Sequence, residues 1–190
     1  MIYIDNKILI LVKENNKAIL KFPKHNIETK AYIGRNGLTS EKQEGDGKTP
    51  IGEFGLGVML GTQQNVQNKN GLKYEQITEE MYWVDDPESR YYNQLMNISK
   101  VKKDWNSAEH LIEYSIQYEY LIEIKTNPNN IAGKGSAIFL HCSNNKPTSG
   151  CIAVDKQVVK KLIENIDKKT KIEIRSYSNE NIARFRKNRR

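Results

Sequence analysis

Apolar residues in this chain come mostly in runs of strand length separated by turn-forming residues, and that spacing restricts the possible folds more than any other feature. Ile2 to Ile4, Ile8 to Val12, Ala18 to Phe22, Ala31 to Ile33 and Phe54 to Leu60 are such runs, with Asn, Gly, Lys and Pro between them. Tyr120 to Ile124 and Ala137 to His141 repeat the pattern, and Lys171 to Arg175 alternates as a last strand. One segment has the helical period instead: after Asp155, a good N-cap, Val158, Val159, Leu162, Ile163 and Ile166 recur on one face. Residues 61 to 118 are less regular, with an Asn/Gln-rich patch, the aromatics Tyr82, Trp83, Tyr91 and Tyr92, and a turn at Asp85-Asp86-Pro87. The pattern predicts a mainly β fold with a few helices. It contains no internal repeat and no linker long enough to divide it, so one folded domain is expected over residues 1–176, followed by a polar basic tail over 177–190.

The formal charge is +7, which favours anionic surroundings. Basic and acidic residues are mostly interspersed, and the one dense run, Arg184, Arg186, Lys187, Arg189 and Arg190, reads as a solvated tail rather than a nucleic-acid arm. No nucleic-acid partner is expected. No stretch approaches the ~18 apolar residues of a membrane span. The opening MIYIDNKILILV carries Asp5, Asn6 and Lys7 within its apolar pattern and lacks a small-residue cleavage site, so it reads as a strand pair. Any export is expected to depend on residues beyond this sequence.

Only two cysteines are present, Cys142 and Cys151, which indicates no disulfide framework. Only His141 lies near them and there is no paired C-x-x-C spacing, so a zinc site is not indicated either. His141 and Cys151 instead stand at opposite ends of one polar loop in AIFLHCSNNKPTSGCIAV. Closing such a loop has a modest entropic cost, so its ends can meet if the flanking segments are neighbours. A thiol attacks a carbonyl only when deprotonated, and an adjacent imidazole can take its proton and return it to a leaving amine. Gly150 permits close approach of a substrate, and backbone N–H groups around Gly150 and Cys151 could hold an oxyanion. The same residues also fit a buried structural thiol and a hydrogen-bonded core histidine. Composition alone favours that second reading, because free cysteines are usually buried and inert. Cys142 follows His141 directly, so on a strand their side chains point to opposite faces and Cys142 reads as a packed thiol.

The pieces GRNG, GDGKTPIGEF, YWVDDP, SAEH, GSAIFLH and TSGCIAV, in this order, resemble the bacterial L,D-transpeptidases with a YkuD catalytic domain, in particular a divergent branch whose active-site segment ends in Gly-Cys-hydrophobic-Ala-hydrophobic. The resemblance covers roughly residues 2 to 175. It implies a β-sandwich or barrel-like catalytic domain acting on peptidoglycan stem peptides. It further implies that Cys151 is the nucleophile and His141 its base, with Thr148, Ser149 and Gly150 forming the segment that leads to the nucleophile. The reaction implied is attack on a tetrapeptide stem, loss of the terminal D-alanine, and transfer of the acyl group to an amine of another stem or to water. Three departures from the commonest signature stand out. Ser149 occupies the place of a usual second histidine, Ala153 that of a usual arginine, and the loop from His141 to Cys151 is short.

His110, in the SAEH piece, is a secondary candidate for substrate contact, balanced against a purely structural role near a helix cap at Ser107. Arg35, Asp46 and Lys48 could reach substrate from the glycine-rich connection, although solvated loop charges are the plainer reading. Trp83, with Tyr82, Tyr91 and Tyr92, could wall a cleft, although core packing is the plainer reading there too. His25 reads as a surface-loop residue. Gly47-Lys48-Thr49 looks like the end of a phosphate-binding loop, but Lys42 stands where the required first glycine would be and Pro50 would open the following helix.

Three functions therefore compete: an L,D-transpeptidase, an L,D-carboxypeptidase on the same residues, and a cell-wall binding module without turnover. Papain-like and NlpC/P60-like peptidases place cysteine before histidine, the reverse of the order here. No metal or organic cofactor is implied, since thiol, imidazole and backbone donors suffice for acyl transfer. The substrate places the activity in the cell envelope, with association to anionic wall polymers as a further expectation.

Overall fold

The computed structural model describes residues 6–13 and 16–177, so the Ile2 to Ile4 run and the basic tail from residue 178 lie outside the described residues. The strands are β1 (Lys7–Val12), β2 (Lys17–Phe22), β3 (Ile27–Tyr32), β4 (Leu38–Thr39), β5 (Thr49–Pro50), β6 (Gly52–Gly61), β7 (Tyr74–Gln76), β8 (Met81–Val84), β9 (Leu95–Asn97), β10 (Ala108–His110), β11 (Leu121–Ile124), β12 (Phe139–Cys142), β13 (Ile152–Val154) and β14 (Lys171–Ser176). Helix α1 spans Lys156–Asn165, and three short 3-10 turns cover Pro23–His25, Leu111–Glu113 and Gln117–Glu119. The mainly β expectation agrees with this. Among the described residues, α1 is the only α-helix.

The large sheet runs β11-β12-β13-β3-β2-β1-β14-β6-β7, and an additional β11–β6 pairing joins it back on itself into a barrel-like ring. Alternation explains which residues fill it. Ile8 and Ile10 of β1, Leu20 and Phe22 of β2, Ile122 of β11, Leu140 of β12, Ile152 and Val154 of β13, and Ile172 and Ile174 of β14 are all buried in one apolar cluster. Helix α1 starts at Asp155, whose side chain accepts from the Gln157 N–H at 2.8 Å. Its Val159, Leu162 and Ile163 join the same cluster.

A second apolar cluster lies on the other face of the sheet: Phe139 of β12, Cys151, Leu60, Leu121, Trp83, Tyr118 and Leu111. A small antiparallel sheet, β10-β8-β9, covers this side, with Trp83 of β8 meeting Phe139 edge-on at 4.8 Å between ring centres. Strand β12 is thus buried on both faces, which is why its sequence reads as an unbroken apolar run rather than an alternating one.

Candidate active site

Strands β12 and β13 are parallel neighbours, with Leu140 opposite Ile152, His141 opposite Ala153 and Cys142 opposite Val154. One step further back, Cys151 comes level with Phe139. Strand alternation then puts Phe139, His141, Cys151 and Ala153 on the outer face, and Leu140, Cys142, Ile152 and Val154 in the barrel. His141 and Cys151 are therefore diagonal neighbours on one surface. Both line a cavity of about 190 Å³ with Glu109, Tyr114, Tyr118 and Ser149. Cys142 faces away, donating to the Tyr120 carbonyl at 3.5 Å.

The Cys151 thiol donates to the Ala137 carbonyl at 3.2 Å, and the Phe139 N–H donates to its sulfur at 3.3 Å. Burial, with the nearby Glu109 carboxyl as a second cause, pushes the thiol up to about 12. Burial also brings His141 down to about 4, only partly opposed by its hydrogen bond to the Cys142 carbonyl. That bond, at 2.9 Å, requires Nδ1–H to donate, which leaves Nε2 of the neutral ring as the proton acceptor. The resting pair is thus a neutral thiol beside a neutral imidazole rather than an ion pair.

The loop before Cys151 is held from several sides. Thr148 bonds through its backbone to Ile33 and Arg35. Its hydroxyl accepts from the Gly150 N–H at 3.1 Å and donates to the Cys151 carbonyl at 2.7 Å. Thr49, fully buried, donates to the Gly150 carbonyl at 2.7 Å and accepts from the Gly34 N–H at 2.8 Å. Gly150 has φ +145°, and a side chain there would press on the Lys48 carbonyl and on Ile138. Ser149 is exposed, and its hydroxyl oxygen accepts from Arg35 Nη1 at 2.7 Å. Arg35 borders a second cavity, of about 270 Å³, which adjoins Cys151 and also holds Lys42, Glu44, Asp85 and Glu109. A cation from the connection after β3 therefore reaches the Ser149 position, beside the site where Ala153 supplies no charge.

The remaining candidates fall elsewhere. His110 pairs with Tyr82 across β10 and β8 and stacks on its ring at 4.3 Å. Its nitrogens bond the Glu79 carbonyl at 2.6 Å and Glu113 at 3.0 Å, and its side chain lines neither cavity. Burial alone would lower its pKa, yet these two acceptors hold it above the ordinary value. Trp83 is buried against Phe139 of β12, donating to Asn93 Oδ1 at 3.1 Å. Asp46 accepts from Lys42 and from the Gln43 and Lys48 N–H groups, ordering its own turn. Tyr92 is a core residue that donates to Glu44. Asp86 accepts from the Glu88 and Asn106 N–H groups, as a turn residue does.

A sequence-family model of the L,D-transpeptidase catalytic domain, YkuD, matches residues 1–174. The chain belongs to this family. No curated protein and no solved structure gives a significant match. A YkuD domain works on peptidoglycan, and the barrel-like sheet seen here accords with that assignment. No helix among the described residues is long and apolar enough to cross a membrane.

Two residues of this YkuD domain escaped the sequence reading. Thr49 holds the loop before Cys151, but a single threonine in a glycine-rich stretch carries no pattern that marks it. Glu109 lines both cavities beside Cys151 and accepts a hydrogen bond from the Tyr118 hydroxyl. It is the neighbour of His110 in SAEH. Register separates them: Glu109 lies opposite Trp83, which faces Phe139 of β12, whereas His110 lies opposite Tyr82.

Proposed function

We infer that this protein is a peptidoglycan L,D-transpeptidase. The observation that carries the inference is the shared outer face of β12 and β13, which puts a cysteine and a neutral, Nε2-accepting histidine in one cavity. Substrate entry displaces the thiol from the Ala137 carbonyl, and His141 Nε2 takes its proton. The thiolate attacks the carbonyl before the terminal D-alanine of a tetrapeptide stem. The Cys151 N–H is the better candidate for the oxyanion, because that of Gly150 already serves Thr148. The C–N bond breaks, His141 returns the proton to the leaving amine, and a thioester remains on Cys151. An amine of a second stem attacks that thioester, its proton passes through His141 to the departing sulfur, and a cross-link forms. Such chemistry belongs in the cell envelope, where the +7 chain would also meet anionic wall polymers.

The test uses disaccharide-tetrapeptide muropeptides with wild type and Cys151→Ala, following products and intact-protein mass. Loss of D-alanine with cross-linked dimers, abolished in the variant, supports the reading. Trimmed monomers alone would make the enzyme an L,D-carboxypeptidase. Absence of both product and covalent adduct, with Cys151 labelled by a thiol reagent no faster than Cys142, would make it a wall-binding module.

A further inference from the structure

We propose that Glu109 is the residue that receives the acceptor amine, holding the incoming ammonium and taking its proton before the amine attacks the Cys151 thioester. The proposal rests on the transpeptidase reading and adds to it the group that makes transfer to an amine, rather than to water, possible.

The reaction itself creates the need. An amine attacks a thioester only through a free electron pair, and stem-peptide amines arrive as ammonium ions at neutral pH. His141 cannot remove that first proton, because its ring must be free to take the second one as the tetrahedral intermediate forms. A second acceptor inside the cleft is required, and it must be anionic to attract the ammonium.

Glu109 fits this need by position. Among the described residues it is the one carboxyl group bordering both cavities that meet at Cys151, whereas Glu44 and Asp85 border only the cavity on the Arg35 side. Strand β10 aims it inward by pairing it with Trp83. Tyr118 donates to its Oε2, and the Tyr118 ring meets the His141 ring edge-on at 5.6 Å, so phenol, carboxyl and imidazole line one wall. Burial raises Glu109 to about 7, opposed by the Tyr118 hydrogen bond and increased by Asp85 and Glu44. It is therefore poised to gain and lose a proton near neutrality. The step balances: the ammonium proton moves to the Glu109 carboxylate, the neutral amine forms the C–N bond, the C–S bond breaks, His141 carries the second amine proton to sulfur, and Glu109 releases its own to solvent.

The experiment compares wild type with Glu109→Gln on disaccharide-tetrapeptide muropeptides. It measures thioester formation by intact mass, the ratio of cross-linked dimer to trimmed monomer, and resolution of the thioester by hydroxylamine, which is largely unprotonated at neutral pH. The expected result is unchanged resolution by hydroxylamine and a dimer-to-monomer ratio lower by about 10- to 100-fold, a much larger change than that in thioester formation, which also responds because the Glu109 carboxyl acts on the Cys151 thiol. Tyr118→Phe keeps the ring and removes the donor. The titratable and charged groups that share a cavity with Glu109 are Tyr114, Tyr118, His141 and Cys151 on one side and Arg35, Lys42, Glu44, Asp85 and Cys151 on the other. Without the phenol the carboxyl stays protonated to higher pH, so the rise of cross-linking with pH should move upward. An unchanged ratio in Glu109→Gln, an equal loss of thioester formation, an equal loss of hydroxylamine resolution, or an unshifted profile in Tyr118→Phe would each overturn the proposal. A wild type that is acylated but only trims would overturn it and leave the cysteine chemistry standing. A wild type that is never acylated would overturn both.

Discussion

His141 and Glu109 share a cavity and titrate in opposite senses, which makes the pH dependence of stability a direct probe of the site. His141 drops from 6.5 to about 4 on folding, so the unfolded chain binds its proton first. That stability is intact above pH 6.5 and is lost as pH falls toward 4, by roughly 3 kcal/mol. Glu109 rises from 4.5 to about 7, so its contribution is intact below pH 4.5 and is lost as pH rises toward 7, again by roughly 3 kcal/mol. The two slopes nearly cancel between pH 4.5 and 6.5. Glu109→Gln should therefore uncover the histidine: stability should climb with pH between 4.5 and 6.5 by roughly 2–3 kcal/mol more in the variant than in wild type, read from denaturant midpoints. A variant curve parallel to wild type would contradict this pairing. Cys151, raised from 9.0 to about 12, adds a loss of stability above pH 9 that Cys151→Ser should remove.

At the scale of elements, the side sheet β10-β8-β9 anchors Cys151 through Asn93 in the β8–β9 connection. The Oδ1 of Asn93 accepts from Trp83 Nε1 at 3.1 Å and from the Ala137 N–H at 3.2 Å. The carbonyl of Ala137, a residue held at φ 51°, receives the Cys151 thiol. Asn93→Ala leaves two donors unpaired and is expected to cost about 1–3 kcal/mol and to slow thioester formation by about tenfold or more. Thermal melts and single-turnover mass spectrometry check the two parts separately. Asp155→Ala, which removes only the α1 cap, should cost about 1 kcal/mol in a melt and leave thioester formation unaltered. The sequence makes α1 and β12 legible because their signals are local: a cap followed by a 3.6-residue period, and an apolar run of strand length. Strands β8, β9 and β10 are short and only partly buried on one face, so no period marks them. Glu109 and His110 are equally plausible until β10 is paired with β8.

Across the whole molecule, the ring that the β11–β6 pairing closes also depends on contacts between the two ends of the described chain. Strand β14 pairs parallel with β1 along Lys7 to Val12 and antiparallel with β6 along Gly52 to Gly55. A chain ending at Asp167 would lose the fully buried Ile172 and Ile174 and expose edges on both neighbours. It is expected to show no cooperative unfolding transition in urea, and a sharp one would refute this account of closure. Such distant pairing must also be found before it is rewarded, so refolding should take milliseconds to seconds or longer in stopped-flow fluorescence. Local pattern settled the strand-length runs, helix α1 and the opposite facing of His141 and Cys142, because each depends on residues a few positions apart, whereas it led to an expectation of a few helices where the described residues hold one α-helix. Tertiary structure alone decided that β12 and β13 run parallel side by side, that Thr49 ties the loop before Cys151, and that Glu109 rather than His110 lines the cavities around the thiol. Each of these follows from register between distant strands, and a shift of one residue would turn every side chain to the opposite face.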